Sequence, residues 1–364
     1  MAGGGDRHTL AAVPEPSPPV TVTIATYNGL HLLETVLCSL KQQTFMDFRT
    51  VVVDDASSDG TVGWLAEHWP AVEVVAHEEN RGVAAALNTC FAMGEGSEFV
   101  LLLNNDVELD PACIEQLMGA LRASPQAAVA QAKLLDFSRR ELLDGTGDSY
   151  SWAGVPHRRG QSELDQGQYD ELQDVFGACA ATALYRRSAL EEVGGFDEQF
   201  FALCEDIDWS FRARLAGYSC RYAPAAVAYH IGSASLGPRV SEFTLYHNWR
   251  NQLWVVAKNY PPTALVRHLP DLLMGLLASL YVAIRHRSIG VLLRSWRDAL
   301  RGLPLVLRKR RAIQGARVCT PGELNAVIDS GARKLFWWLT GSGRSTAPAA
   351  RRQDPSLPRT PSSR

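Results

Sequence analysis

The sequence predicts an α/β fold with a mainly parallel central sheet, followed by a helical C-terminal region. Three observations carry this expectation. From Val20 to Leu103, short β-branched or apolar runs alternate with segments of helical periodicity. Polar residues close several of the apolar runs on the same, C-terminal side. After Gly237 the pattern turns mostly helical. Strands that alternate with helices imply parallel βαβ units, and such sheets bind ligands at the carboxyl ends of their strands.

The elements follow in order. Val20 to Thr26 is a β-branched run that ends in Tyr27-Asn28-Gly29, a strand and then a turn. Leu32, Leu33, Val36, Leu37 and Leu40 recur at helical spacing. Thr50 to Val53 is a second strand, closed by the polar turn Asp54 to Thr61 with helix-capping chemistry. A helix over Val62–Trp69, a strand over Val72–Ala76, a helix over Gly82–Met93 and a strand over Phe99–Leu103 come next. Asp110 is placed to cap a helix with Pro111 at its first position. Asp136 to Gln173 is polar and rich in Gly and Arg, an irregular excursion with short strands. Helix then alternates with loop around an acidic cluster, Glu205-Asp206-Ile207-Asp208. The C-terminal region opens with a helix over Phe243–Asn259 and continues through the apolar run Leu272–Ile284 into basic helices. The domain plan is a disordered tail at 1–19, an α/β domain at 20–236, a helical region at 237–340 and a disordered tail at 341–364.

Composition narrows the class. The 364 residues suffice for one large domain with an appendage or for two, and a net charge of −3 gives no sign of nucleic-acid binding. Basic residues are concentrated from Arg285 to Arg317, where Asp298 is the one acid; this suits an anionic membrane face or a solvated helical face. The run Leu272–Ile284 is shorter than the ~20 residues that span a bilayer, so it lies in the interface or is buried. Seven cysteines without a C-x-x-C pair read as reduced thiols in a cytosolic protein. The N-terminal residues have no apolar core and do not read as a signal peptide.

Several residues can carry chemistry. Asp54, at a strand end, can accept from a base or a ribose, or can stabilise its own turn. Arg81, in Asn80-Arg81-Gly82, can meet a nucleobase or serve as a surface cation. Asp106 closes Leu103-Asn104-Asn105-Asp106 at the rim of a buried run and can hold a divalent cation or begin a turn. Glu205 and Asp208 share a helical face at i,i+3, while Asp206 points elsewhere, so the three cannot all ligate one ion. One carboxylate facing a cleft could act as a base toward a hydroxyl. Phe200, Phe201 and Trp209 flank the cluster, either as a stacking surface or as core. His230, before Ile231-Gly232-Ser233, is a metal-ligand candidate or a structural histidine.

Taken in order, these pieces resemble the family 2 inverting glycosyltransferases of GT-A fold. The resemblance rests on Thr26-Tyr27-Asn28-Gly29, Val53 to Thr61, Asn80-Arg81-Gly82, Leu103 to Asp106, Gly194-Gly195-Phe196-Asp197, Glu205 to Trp209 and His230 to Ser233. Tyr246-His247-Asn248-Trp249-Arg250-Asn251 adds a likeness to the bacterial rhamnosyltransferase-like branch. The resemblance implies that Thr26, Asn28, Asp54, Arg81 and Asn105 hold the nucleotide, and that Asp106 and His230 ligate Mg2+ or Mn2+. It implies Asp206 as the base toward the acceptor hydroxyl, with Gly195, Phe196, Glu205 and Trp209 on the acceptor side. Asn104 stands where many relatives carry the first acid of a D-x-D. The implied partners are a nucleotide-sugar donor, first of all dTDP-L-rhamnose, and a lipid-linked or polysaccharide acceptor. The expected place is the cytoplasmic face of the plasma membrane, reached through the C-terminal helices. A transferase of galactofuranose, mannose or glucose, or a non-catalytic nucleotide-binding module, is the alternative.

Overall fold

The computed structural model describes residues 17–232 and 241–330. The expected disordered tails fall outside these residues except for 17–19, as does Ser233. Pro18 and Pro19 are already tied to the sheet: their carbonyls accept from Ser97 Oγ (2.7 Å) and the Phe99 amide (3.0 Å).

The first half alternates as its periodicity predicts: β1 (Val20–Thr26), α1 (Leu30–Leu40), β2 (Phe48–Asp54), α2 (Thr61–His68), β3 (Glu73–Ala76), α3 (Val83–Met93) and β4 (Phe99–Asn104). β5 (Val107–Leu109), α4 (Cys113–Arg122) and the long β6 (Ala127–Asp136) follow. The helix expected at Pro111 begins at Cys113, because Asp110 accepts from the Ala112 amide and closes a turn first. The polar excursion contains β7 (Leu143–Gly145), β8 (Asp148–Ser151), β9 (Pro156–Arg158) and β10 (Gln173–Val175). Then come β11 (Thr182–Arg186), α5 (Arg187–Val193), a 3-10 turn at Glu198–Phe200, α6 (Glu205–Leu215) and β12 (Ser219–His230). The C-terminal part holds α7 (Glu242–Asn259), α8 (Pro262–Arg267), α9 (Leu269–Arg285), α10 (Ile289–Gly315), α11 (Pro321–Val327) and β13 (Ile328–Asp329).

The main sheet has the order β10-β12-β6-β11-β4-β1-β2-β3. β3, β2, β1, β4, β6 and β12 run one way; β11 and β10 run against them. β4 is apolar on both faces, β1 carries Val20, Val22 and Ile24 on one face and the buried, hydrogen-bonded Thr21 and Thr23 on the other, and helices cover both faces of the sheet, as a parallel sheet requires. α1 and α4 pack on one face; α3, α5 and α6 pack on the other. The register brings Thr26 beside Asp54, Ala25 beside Asn104, and His230 beside Asp136, so one rim of the sheet collects the polar strand ends. The C-terminal helices share a core with the sheet domain. Tyr150, Phe176, Phe200 and Phe211 pack with Trp254, Tyr260, Val306 and Ile328, and β13 pairs with β8.

Candidate active site

A cleft of about 610 Å³ opens at that rim. One wall is made of strand ends: Thr26, Asn104 and Asn105 line it, and Asn105 Nδ2 donates to Thr26 Oγ1 (2.8 Å). Ala180 and Ala181, just before the antiparallel β11, give the floor small side chains. Asp55 shapes the next wall. Its carboxylate accepts from the Arg81 amide (3.0 Å), the Gly82 amide (2.9 Å) and His77 Nδ1 (2.7 Å), which fixes the Asn80-Arg81-Gly82 turn at the cleft edge.

The opposite wall is the segment Phe201–Asp206 at the start of α6. Phe201, Leu203 and Cys204 all have positive φ (63°, 70° and 66°), a conformation side chains resist. Neighbouring groups hold it. Asn251 Nδ2 on α7 donates to the carbonyls of Phe200 (3.1 Å), Ala202 (2.9 Å) and Leu203 (2.7 Å), and Arg250 donates to Phe200 (2.9 Å). Gly82 lies against the other side: at φ +86° a Cβ there would come within 2.6 Å of the Phe201 carbonyl oxygen. The result places Asp206 and Glu205 on the cleft wall, at the first turn of α6.

Burial raises the Asp206 carboxyl above its ordinary value, against the pull of the Ile207 amide and the Arg158 guanidinium. Burial, and then the charge of Asp206, raises Glu205 likewise. Asp148 is raised for the same reasons. Asp208 does not belong to this set. It is buried on the far side of α6, bonded to Lys258 Nζ (2.8 Å), Arg212 Nε (2.9 Å) and Asn259 Nδ2 (2.8 Å). Burial alone would raise it, but the Lys258 and Arg212 charges bring it below the usual value.

Asp106 and His230 come from β-strand ends far apart in sequence and meet: His230 Nε2 lies 3.3 Å from Asp106 Oδ1. His230 Nδ1 is held by Asp144 Oδ2 at 2.7 Å. Burial opposes the imidazolium, yet the Asp106 and Asp144 carboxylates outweigh it and raise His230. Arg158, which lines the cleft, bonds Asp144 and lies 3.3 Å from Cys179 Sγ.

Other expected residues sit elsewhere. Trp209 is fully buried: its Nε1 donates to the Gly194 carbonyl (2.8 Å), and its ring packs on Tyr185. Phe196 stacks on Phe91 in the same core. Neither they nor Gly195 line the cleft; Phe201, Leu203 and Phe243 do. Asp206 borders the cleft from the first turn of α6, whereas Trp209, one turn further on, is drawn into the core by the Gly194 carbonyl and the Tyr185 ring. Arg81 does not line the cleft either; its guanidinium meets Glu198 (3.2 Å) at the surface. Asn28 Oδ1 accepts from the Ser58 amide (2.8 Å), and Asp54 Oδ2 accepts from the Ser57 amide (2.9 Å), so both organise the loop behind the cleft.

Residues 21–194 match the profile of glycosyl transferase family 2. That segment is a family 2 glycosyltransferase domain. A curated relative, the N-acetylglucosaminyl-diphospho-decaprenol L-rhamnosyltransferase of Mycobacterium tuberculosis, is 28% identical over 236 residues, 59% of this chain and 77% of the relative. The pre-mycofactocin glycosyltransferase of the same species is 30% identical over 236 residues; the match spans 60% of this chain but only 46% of that protein. Among solved structures, GalNAc-T7 with UDP, GalNAc and Mn2+ superposes with a TM-score of 0.54 at 16% identity, over 67% of this chain and 48% of that one. The family 2 glycosyltransferase thus has the GT-A fold expected from its motifs.

Sequence reading missed several residues that this glycosyltransferase brings to the site. Asp144, Asp148 and Arg158 lie in the polar excursion, where no periodicity marks them. Phe243 lies on α7, outside the matched segment, as does Asn251, which the Tyr246 to Asn251 motif contained without giving it a role. Two groups of donors could take a cation. Asp148, Cys179 and Asp206 have ligand atoms within 4.8 Å of one another. That group fits Mg2+ or Mn2+ poorly, because the buried thiol stays protonated and Arg158 already occupies its sulfur. Asp106 and His230 fit better: Asp144 holds Nδ1 so that Nε2 faces the Asp106 carboxylate, an imidazole nitrogen and a carboxylate oxygen that a cation could join.

Proposed function

We propose that this glycosyltransferase moves a sugar from a nucleoside-diphosphate-sugar donor to a hydroxyl of a lipid-linked or polysaccharide acceptor, with inversion, in cell-envelope glycan synthesis. The single observation that carries the reading is Asp206: a carboxyl raised by burial, on the wall of the cleft, facing the strand-end rim. A group with a raised pKa is a stronger proton acceptor than an ordinary carboxylate once ionised. In the proposed reaction the acceptor oxygen attacks the anomeric carbon, its proton passes to Asp206, and the bond to the nucleoside diphosphate breaks on the opposite face. Thr26 and Asn105 would position the donor at the rim. Asp106 and His230 would hold Mg2+ or Mn2+, which when bound offsets charge on the departing diphosphate. The strained Phe201–Cys204 segment and Phe243 form the wall nearest the acceptor.

The likeness to a rhamnosyltransferase that acts on a decaprenol-linked substrate supports dTDP-L-rhamnose as the first donor to test and a polyprenyl-diphosphate sugar as the first acceptor. A lipid-linked acceptor would also place the enzyme at the cytoplasmic face of the membrane. The experiment is a donor-hydrolysis and transfer screen of nucleotide sugars with purified protein, with and without Mg2+ or Mn2+. Turnover of dTDP-L-rhamnose is expected; turnover only of another sugar nucleotide would replace rhamnose, and none at all would favour a binding module. Asp206→Asn should remove transfer while donor binding, followed by calorimetry, persists. Unchanged transfer would reject Asp206 as the base. His230→Ala and Asp106→Ala should each weaken metal activation, read as a higher Mn2+ concentration for half-maximal rate.

A further inference from the structure

The C-terminal helices carry an apolar surface that nothing else among the described residues covers. On α9 the side chains of Leu269, Leu273, Leu277, Leu280, Tyr281 and Ile284 are exposed, Leu277 to 64%. Their spacing puts them on one face, within about a third of the helix circumference. The opposite side is the packed one: Gly275 lies so close to the Ala153 carbonyl that no Cβ fits, and Ala278 is buried. The next helix repeats the pattern. Ile289, Leu293, Leu300 and Leu307 of α10 are exposed along a single stripe, while Leu292, Ser295, Ala299 and Val306 face inward. Val266 on α8, exposed to 79%, adds to the patch. Scattered exposed leucines need no explanation; eleven large apolar side chains on three consecutive helices do.

Charge identifies the occupant. Between Pro262 and Arg317 there are eleven Arg or Lys and two acids, Asp271 and Asp298, in a chain with a net charge of −3. Neither acid is fully exposed: Asp271 bonds His268, and Asp298 is bonded by Arg297, Arg301 and Tyr246. Arg285 and Arg287 stand exposed at the α9–α10 turn, where one apolar stripe ends and the other begins. Arg297, Arg301 and Arg308 follow beside the α10 stripe on the solvent side. Among the described residues no helix is long and apolar enough to cross a membrane. An exposed apolar stripe edged with arginine and poor in acids is the pattern of a helix lying in the interface of an anionic bilayer.

We propose that α9 and the first half of α10 dock this enzyme on the surface of an anionic phospholipid bilayer, with Leu273, Leu277, Tyr281 and Leu293 buried among the acyl chains and Arg285, Arg287 and Arg297 at the phosphates. This deepens the lipid-linked reading of the acceptor, and it is tested apart from it. The full-length chain is centrifuged with vesicles of phosphatidylcholine alone or of phosphatidylcholine with phosphatidylglycerol. Binding to the anionic vesicles, weakened by salt, is expected. The double variant Leu273→Glu/Leu277→Glu should lower that binding at least about tenfold, since two buried leucines are lost, while circular dichroism and donor hydrolysis in solution stay unchanged. Arg285→Gln/Arg287→Gln should lose the preference for anionic vesicles, which a merely structural role would not alter. Wild-type protein that ignores both vesicles, a double variant that binds as wild type, or a wild-type dimer that the variant converts to monomer would each overturn the proposal. Vesicle binding by a preparation that turns over no nucleotide sugar would keep the docking surface and remove the transfer reading.

Discussion

Glu205 and Asp206 stand side by side on the cleft wall, and the charge of Asp206 makes Glu205 harder to ionise. Glu205 is raised by burial and then by its neighbour's charge, and Asp206 is raised by burial. Asp206 must be ionised to accept a proton, so the transfer rate rises with pH through its raised pKa. The acid limb of the rate profile is therefore expected above the ordinary carboxylate range near ~4. Glu205, raised to about 8 by burial and then by the charge of Asp206, is still neutral when Asp206 ionises, so Glu205→Gln should leave that limb in place; a limb moved to lower pH would show that Glu205 is charged there. The residues at this scale were unevenly legible. Asp106 and His230 could be placed at the sheet rim, because each closes an apolar run, while the residues alone left each a structural alternative; Asp206 stood out only as one of an acidic cluster. Trp209 could not be placed from sequence. Beside an acidic cluster, an aromatic residue suits a cleft or a core equally, and only the rotation of α6 turns it inward. Asp144 and Arg158 were invisible because their segment has neither alternation nor helical spacing, and they meet His230 only through β-pairing.

Whole elements hold the reactive wall. The Phe201–Cys204 segment places three non-glycine residues at positive φ, each a departure of order 1–3 kcal/mol that surrounding contacts must offset. Asn251 supplies those contacts from α7, through one amide facing three carbonyls. Asn251→Ala removes them and leaves buried carbonyls unpaired, which should cost about 1–3 kcal/mol of stability. The more telling readout is kinetic. If Asn251 positions the start of α6, kcat should fall by ~10-fold or more while KM for the donor changes little, because a small displacement of a base lowers rate more than binding. Asn251→Asp should not rescue, since a carboxylate faces the same carbonyls as an acceptor. Equal effects on kcat and KM would mean that the helix supports the cleft only in general. Gly82→Ala offers an independent check from the other side of the segment: its Cβ would displace Phe201, and the same kcat loss is expected. The strands and helices of the first half were readable because buried parallel strands are near-continuous apolar runs. The bond between α7 and the cleft was not, because it depends on a turn conformation that sequence periodicity does not record.

At the scale of the whole molecule, the question is whether the C-terminal helices form a region apart, divided at 236/237 as their composition suggests. A network of buried charges argues that they do not. Asp208 on α6 and Asp197 beside the 3-10 turn share Lys258 of α7, at 2.8 Å and 2.6 Å, and Lys309 of α10 also bonds Asp197. Lys258, Asp197 and Asp208 are nearly withdrawn from water, and removing one partner of such a set leaves an uncompensated charge, typically a loss of about 3–5 kcal/mol. Lys258→Met should therefore destabilise the sheet domain together with the helices, as a single unfolding transition at lower temperature. Two separated transitions, with only one shifted, would restore the division. The pH dependence follows from Asp197. Burial would raise its carboxyl, but Lys258 and Lys309 hold it at about 2, below the 3.8 it has when exposed. A carboxyl lowered on folding stabilises the protein above its unfolded value, and this stability drains away as pH falls from about 4 toward 2. Asp197→Asn cannot show that loss, so its acid-unfolding curve should be flatter over this interval, measured by denaturant midpoints at successive pH values. It should also be less stable at neutral pH, where Lys258 and Lys309 lose a counter-charge. Equal slopes in variant and wild type would place the acid sensitivity in another group and weaken the view that the helices and the catalytic domain fold as one body.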